Sequence, residues 1–162
     1  MAVGFARAAR PGDAGAIEAL LLDAFGGPGE AALASDLRDT GQIVVELVLA
    51  VEGRIIAHVA LSRMVAPEGW LCLAPLAVAA GWRGRGVGLR MAKAVVALVV
   101  ALAVGRTVVV LGKPSFYARA GVSRARVAAL QSPYRAENML ISRPGEDVPD
   151  ARLIYPAAFT AV

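Results

Sequence analysis

Cysteine and histidine each occur only once in the 162 residues, and charged side chains make up 19% of the chain. With Cys72 as the single thiol, neither an internal disulfide nor a cysteine-based zinc site can form, and no metal is expected. Cys72 sits in an apolar run without a histidine or an electropositive setting beside it, so it reads as a buried, inert thiol. A long hydrophobic run is also missing, although the chain is 57% hydrophobic with a mean hydropathy of +0.60. The longest apolar stretch, Ala94 to Val104, falls well short of the ~20 residues a spanning helix needs. Arg7 and Arg10 are not followed by an apolar segment of signal-peptide length. A cytoplasmic protein without a membrane partner is expected, folded as one domain over residues 1–162.

Positive charge is in modest excess, +4 with a pI near 9.8, and nearly all of it is arginine. The arginines are scattered, with no basic tail and no run of exposed aromatics between them. Their densest group, Arg83, Arg85 and Arg90, surrounds a glycine turn. That distribution suits a compact polyanion better than a long phosphate backbone, so no nucleic-acid partner is expected.

Val3 to Ala9 reads as a short strand, closed by Pro11-Gly12-Asp13, with Asp13 placed to cap the next helix. Ile17, Leu20, Leu21, Ala24 and Phe25 recur at helical spacing up to the Gly26–Gly29 break. A second helix is predicted from Glu30 to about Arg38, with Leu33 and Leu37 inward. Ile43 to Val51 and Arg54 to Met64 read as an antiparallel hairpin across Glu52-Gly53. Trp70 to Val78 is apolar on both faces and therefore central, and Pro75, which has no N–H, predicts a bulge or splay within it. A helix over Val87 to about Ala103, a strand over Thr107 to Leu111 and a short helix over Pro114 to Arg119 follow. Asn138 to Ser142 and Arg152 to Tyr155 are candidate late strands. The order implies one α+β domain with a mixed sheet.

Between the central strand and the long helix stands Arg83-Gly84-Arg85-Gly86-Val87-Gly88. The first N–H groups of a helix lack internal partners and lie at the positive end of its dipole. Glycines let that backbone approach phosphate oxygens, and Arg83 and Arg85 add charge at the rim. The dinucleotide fingerprint G-x-G-x-x-G does not fit, because its last position falls on Leu89 or Met91. A Walker A loop fails as well, because Gly112-Lys113 is followed by Pro114.

Leu73 to Val78 followed by Arg83 to Gly88 resembles the acetyl-CoA motif of the GNAT superfamily of N-acetyltransferases, whose core is Gln/Arg-x-x-Gly-x-Gly/Ala. Ser115 to Val122, with Tyr117 ahead of Gly121, resembles that family's second signature, although Val122 stands where relatives carry Phe. Tyr155-Pro156-Ala157-Ala158-Phe159 resembles the end of a bacterial branch of predicted acetyltransferases. The resemblance extends over most of the chain. It implies a mostly antiparallel central sheet flanked by helices, with a splayed central strand. It implies acetyl-CoA, or a longer acyl-CoA, as cosubstrate. Backbone groups of Leu76, Ala77 and Val78 would meet the pantetheine arm, and Arg83, Gly84, Arg85, Gly86, Val87 and Gly88 the pyrophosphate. Tyr117 would be the general acid that protonates the departing sulfur.

The reaction implied is direct attack of an amine on the thioester, with a small-molecule or peptide amine as acceptor. The alternative is a non-catalytic CoA-binding or regulatory domain on the same fold, since the strand before the turn has no carboxylate to act as base. Glu46, Glu68 and His58 are candidates for that task. Both carboxylates read as solvated, and His58 as a hydrogen-bonded core residue, so no base is assigned. The acceptor region around Phe25 to Glu30 offers Gly, Pro and Ala and few charges, which disfavours a polycationic acceptor. The outer face of the long helix is apolar at Ala97, Val100, Ala101 and Val104, which predicts a cover, either the C-terminal segment or a second subunit in a homodimer.

Overall fold

β-branched and apolar residues fill three consecutive strands, the middle one buried along nearly its whole length, and these belong to a six-stranded sheet. The computed structural model describes residues 5–102, 107–143 and 145–162, without the side chains of residues 99–102 and 161. Its elements are β1 (Arg7–Ala8), α1 (Ala14–Phe25), α2 (Gly29–Asp39), β2 (Ile43–Val51), β3 (Arg54–Arg63), β4 (Leu71–Val78), α3 (Val87–Leu102), β5 (Val108–Leu111), α4 (Pro114–Tyr117), β6 (Leu130–Gln131), β7 (Met139–Ser142) and β8 (Ala151–Arg152). The main sheet has the order β1-β2-β3-β4-β5-β7, with β4–β5 its one parallel pair. β6 and β8 form a separate parallel pair, an association with no local sequence signal.

The β2–β3 hairpin turns at Glu52 and Gly53, both at positive φ, as a two-residue hairpin loop of the twist-matching kind requires. α1 ends as expected at Gly26, left-handed at φ 69°. α1 and α2 cover one face of the sheet, where Ile17, Leu21, Ala34 and Val48 pack together, and α3 covers the other through Met91 and Val95 against Val59 and Leu61.

The strand expected over Val3 to Ala9 is Arg7–Ala8, with Val3 and Gly4 outside the described residues, and two further local expectations are corrected. Asp13 makes no side-chain bond to the N–H groups of α1. Its carboxylate turns back to the Arg10 N–H at 2.7 Å and to the Arg7 guanidinium at 2.7 and 3.1 Å, because a cation in β1 outcompetes a neutral amide donor. The strand expected over Arg152 to Tyr155 is reduced to Ala151–Arg152, with Ile154 in an isolated bridge to Ala66. On the outer face of α3, Ala97 is exposed, whereas the side chains of Val100 and Ala101, and Val104, lie outside the described residues.

The predicted splay is present. β4 pairs with β5 only from Leu71 to Leu73, opposite Val108 to Val110. Beyond Pro75 it pairs with β3 alone, Leu76, Ala77 and Val78 facing Val59, His58 and Ala57. β5 meanwhile runs on beside β7 to Leu111. The two central strands therefore part, and the wedge between them opens at the C-terminal end of β4.

Candidate active site

A cavity of about 910 Å³ occupies this wedge. Leu76, Ala77 and Val78 form one side, and Arg83, Gly84, Gly86, Val87 and Gly88 its end, while Tyr117 stands on the α4 side. Eight residues from the strand and turn and one from 29 residues further on thus share a single space. Arg85 does not line it; its guanidinium lies 5.0 Å from the centroid of Trp82, itself a lining residue.

The glycines have distinct jobs. Gly84 and Gly86 are at φ 76° and 77°, a backbone shape that side chains disfavour. Gly88 permits close packing instead. A Cβ there would stand 3.2 Å from Phe116 Cζ and 3.4 Å from Val78 Cγ2, so the start of α3 seats directly against α4 and the end of β4. The first intrahelical bond is Arg90 N–H to the Gly86 carbonyl at 3.1 Å. The N–H groups ahead of Arg90 are left for another acceptor. Arg83 N–H donates to the Ala80 carbonyl at 3.4 Å, which moves the available donors one residue along from the expected set.

The Arg83 side chain also has a place that the sequence did not indicate. Its Nε donates to the Val78 carbonyl at 3.1 Å and its Nη2 to the Ala24 carbonyl at 3.3 Å. One guanidinium therefore joins the end of β4 to a carbonyl in the last turn of α1.

Tyr117 is buried, and its ring packs edge-on against Phe116 with centroids 4.8 Å apart. Burial, with a smaller contribution from Cys72, pushes the phenol well above its ordinary value, which favours its neutral form over a phenolate. Cys72 is fully buried and burial raises its thiol as well, in line with the inert reading.

The three candidate bases are all outside the lining. Glu68 is exposed. Glu46, expected to be solvated, is instead largely buried, with 11% of its side chain accessible. It accepts from Arg38 Nη2 at 2.6 Å and pairs with His58 Nε2 at 2.8 Å. Burial raises its pKa, yet the hydrogen bonds from His58 and Arg38 outweigh this and hold it at about 2. His58 is the hydrogen-bonded core residue expected, fully buried, with no partner for Nδ1 among the described residues. Among lining residues that the sequence did not single out, Gly112, Phe116, Tyr134 and Phe159 form the far walls, and Lys113 and Arg119 the cationic rim. Only Gly112, immediately after an apolar strand, carried a readable signal.

A sequence model of the acetyltransferase (GNAT) family matches residues 16–121. The chain belongs to the GNAT acetyltransferase family. The match ends at Gly121, just past Tyr117, so it contains both signatures. Over 119 residues, 71% of each chain, the sequence is 36% identical to the uncharacterized N-acetyltransferase YhbS of Escherichia coli K12. The solved structure of Escherichia coli YhbS in complex with CoA has a TM-score of 0.89 and 29% identity, covering 99% of this chain and 93% of that one. A GNAT acetyltransferase from Brucella melitensis in complex with acetyl-CoA gives a TM-score of 0.81 at 24% identity, over 96% and 97% of the two chains. At that identity the likeness is one of fold. The single α+β domain with a mixed, mostly antiparallel sheet is thus the GNAT architecture. No helix among the described residues is long and apolar enough to cross a membrane.

Proposed function

We propose that this GNAT chain is an acyl-CoA-dependent N-acyltransferase, with acetyl-CoA as the donor and a primary amine on a small molecule or peptide as acceptor. The observation that carries the reading is one cavity containing the open edge of β4, the N-terminus of α3 and the buried phenol of Tyr117. The CoA and acetyl-CoA in the two related structures support the choice of cosubstrate.

In this reading the N–H groups at the start of α3 hold the pyrophosphate, helped by the helix dipole. The backbone of Leu76 to Val78 lies along the pantetheine arm, and an N–H near Ala77 or Val78 faces the developing oxyanion. The amine attacks the thioester carbonyl, a C–N bond forms and the C–S bond breaks. Two protons leave the nitrogen in all; sulfur gains one from Tyr117, which is then reprotonated, and the other goes to water. Arg83 holds the end of β4 against α1 and keeps the wedge open.

The test is free thiol released from acetyl-CoA in the presence of a panel of primary amines, with Tyr117→Phe alongside. Turnover that falls in the variant is expected. Acetyl-CoA binding with no turnover across the panel would establish the non-catalytic CoA-binding domain instead.

A further inference from the structure

The α1–α2 junction also lines the cavity, and there the lining is largely apolar. Phe25, the last residue of α1, and Leu33 of α2 form one wall there. Tyr134 and Phe159 line it as well, with the Tyr134 hydroxyl donating to the Phe159 carbonyl at 3.3 Å. Phe159 is brought in by the C-terminal turn Ala157–Ala161, which packs on α2. Phe25 is 44% exposed, a large apolar side chain bordering a cavity instead of the core. Such surface is what a ligand with an apolar body covers.

Charge is divided across the same space. Glu30 is the sole acidic side chain among the lining residues, whereas Arg83, Lys113 and Arg119 line it from the turn and the α4 side. Glu30 is half-buried in the first turn of α2, and no hydrogen bond or ion pair to it is found among the described residues. A favourable interaction with the dipole of α2 accounts for an acid at this position. It does not account for a place in an otherwise apolar wall, since a fully solvated carboxylate would serve the dipole equally.

We infer that the acceptor is a small monoamine on an apolar or aromatic body, its ammonium paired with Glu30 and its body seated against Phe25, Leu33 and Phe159. This rests on the acyltransferase reading and narrows its acceptor class. One acidic side chain matches one cation. A second ammonium would meet either the apolar wall, at a desolvation cost, or the cationic rim. A charge-assisted pair in a partly enclosed site also orients the nitrogen, which delivery to the thioester requires.

The experiment compares 2-phenylethylamine, spermidine and a lysine-containing peptide as acceptors with wild type, Glu30→Gln and Glu30→Asp. Calorimetric binding of 2-phenylethylamine to the CoA-loaded protein is measured in parallel. The monoamine is expected to have the highest kcat/KM, and Glu30→Gln to raise its KM and Kd by about tenfold or more, with Glu30→Asp closer to wild type. The KM for acetyl-CoA should stay unchanged. Spermidine or the peptide as the better acceptor, or an amine KM and Kd insensitive to Glu30→Gln, would overturn the inference while leaving the acyltransferase reading standing. CoA binding with no turnover of any amine sinks that reading, and the calorimetric comparison still decides whether Glu30 holds the monoamine.

Discussion

The ring of Tyr117 lies so close over Gly112 that a Cβ on Gly112 would overlap Tyr117 Cε2 and stand 3.1 Å from Cδ2. The phenol therefore occupies space left by the missing side chain at the end of β5. Gly112→Ala must displace the ring, since the obstruction is the body of a packed aromatic and not a flexible tip. We expect kcat to fall by an order of magnitude or more while acetyl-CoA affinity is largely kept, with about 1–3 kcal/mol lost in urea unfolding from overpacking. An unaltered kcat would show that the position of Tyr117 is immaterial to the chemistry.

Removing the hydroxyl alone is a gentler change. Tyr117→Phe should lower kcat by about 10²-fold, in the range general acids supply, with little effect on KM for acetyl-CoA. Because burial raises the phenol, its neutral, donating form persists as pH rises. The wild-type kcat profile should show no alkaline fall from this group through about pH 10, the ordinary phenol value. A fall beginning near neutrality and abolished by Tyr117→Phe would contradict the assignment.

Glu46 links α2 to the sheet through Arg38 and His58. Its carboxyl is lowered from the ordinary 4.5 to about 2, so the native state favours the ionised form. The stability this contributes is complete above pH 4.5 and is lost progressively as the pH falls towards about 2. Glu46→Gln should cost about 1–3 kcal/mol at pH 7 and flatten the acid limb of a stability–pH curve, which chemical denaturation at several pH values measures. Since Glu46 lies outside the cavity lining, kcat at 25 °C should change little in the folded variant.

Arg83→Lys keeps the charge and loses the fork. A single ammonium on a flexible stem does not reproduce a guanidinium that reaches the Val78 and Ala24 carbonyls together. The acetyl-CoA KM should rise several-fold if the role is positional, and Lys should do little better than Ala. Full rescue by Lys would mean that charge alone matters at this position.

The sequence by itself determined the elements whose reasons are local. The apolar spacing of Ile17 to Phe25, the β-branched run of Ile43 to Val51 and the Glu52-Gly53 turn each carry their structure in neighbouring residues. The splay was legible because Pro75 lacks an N–H, and the glycine turn because Arg83 to Gly88 stands between an apolar strand and a helix and resembles the family motif. Tertiary structure alone decided what depends on distant partners. Glu46 reads as a solvated strand residue until α2 brings Arg38 to it and β3 places His58 beside it. Asp13 reads as a helix cap until Arg7 competes for it. Phe159 reaches the cavity through the packing of the C-terminal turn against α2, and Tyr134, which also lines it, is hydrogen-bonded to the Phe159 carbonyl. Periodicity and turn chemistry are short-range, whereas the charge, burial and shape of a site are set by residues brought together from across the chain.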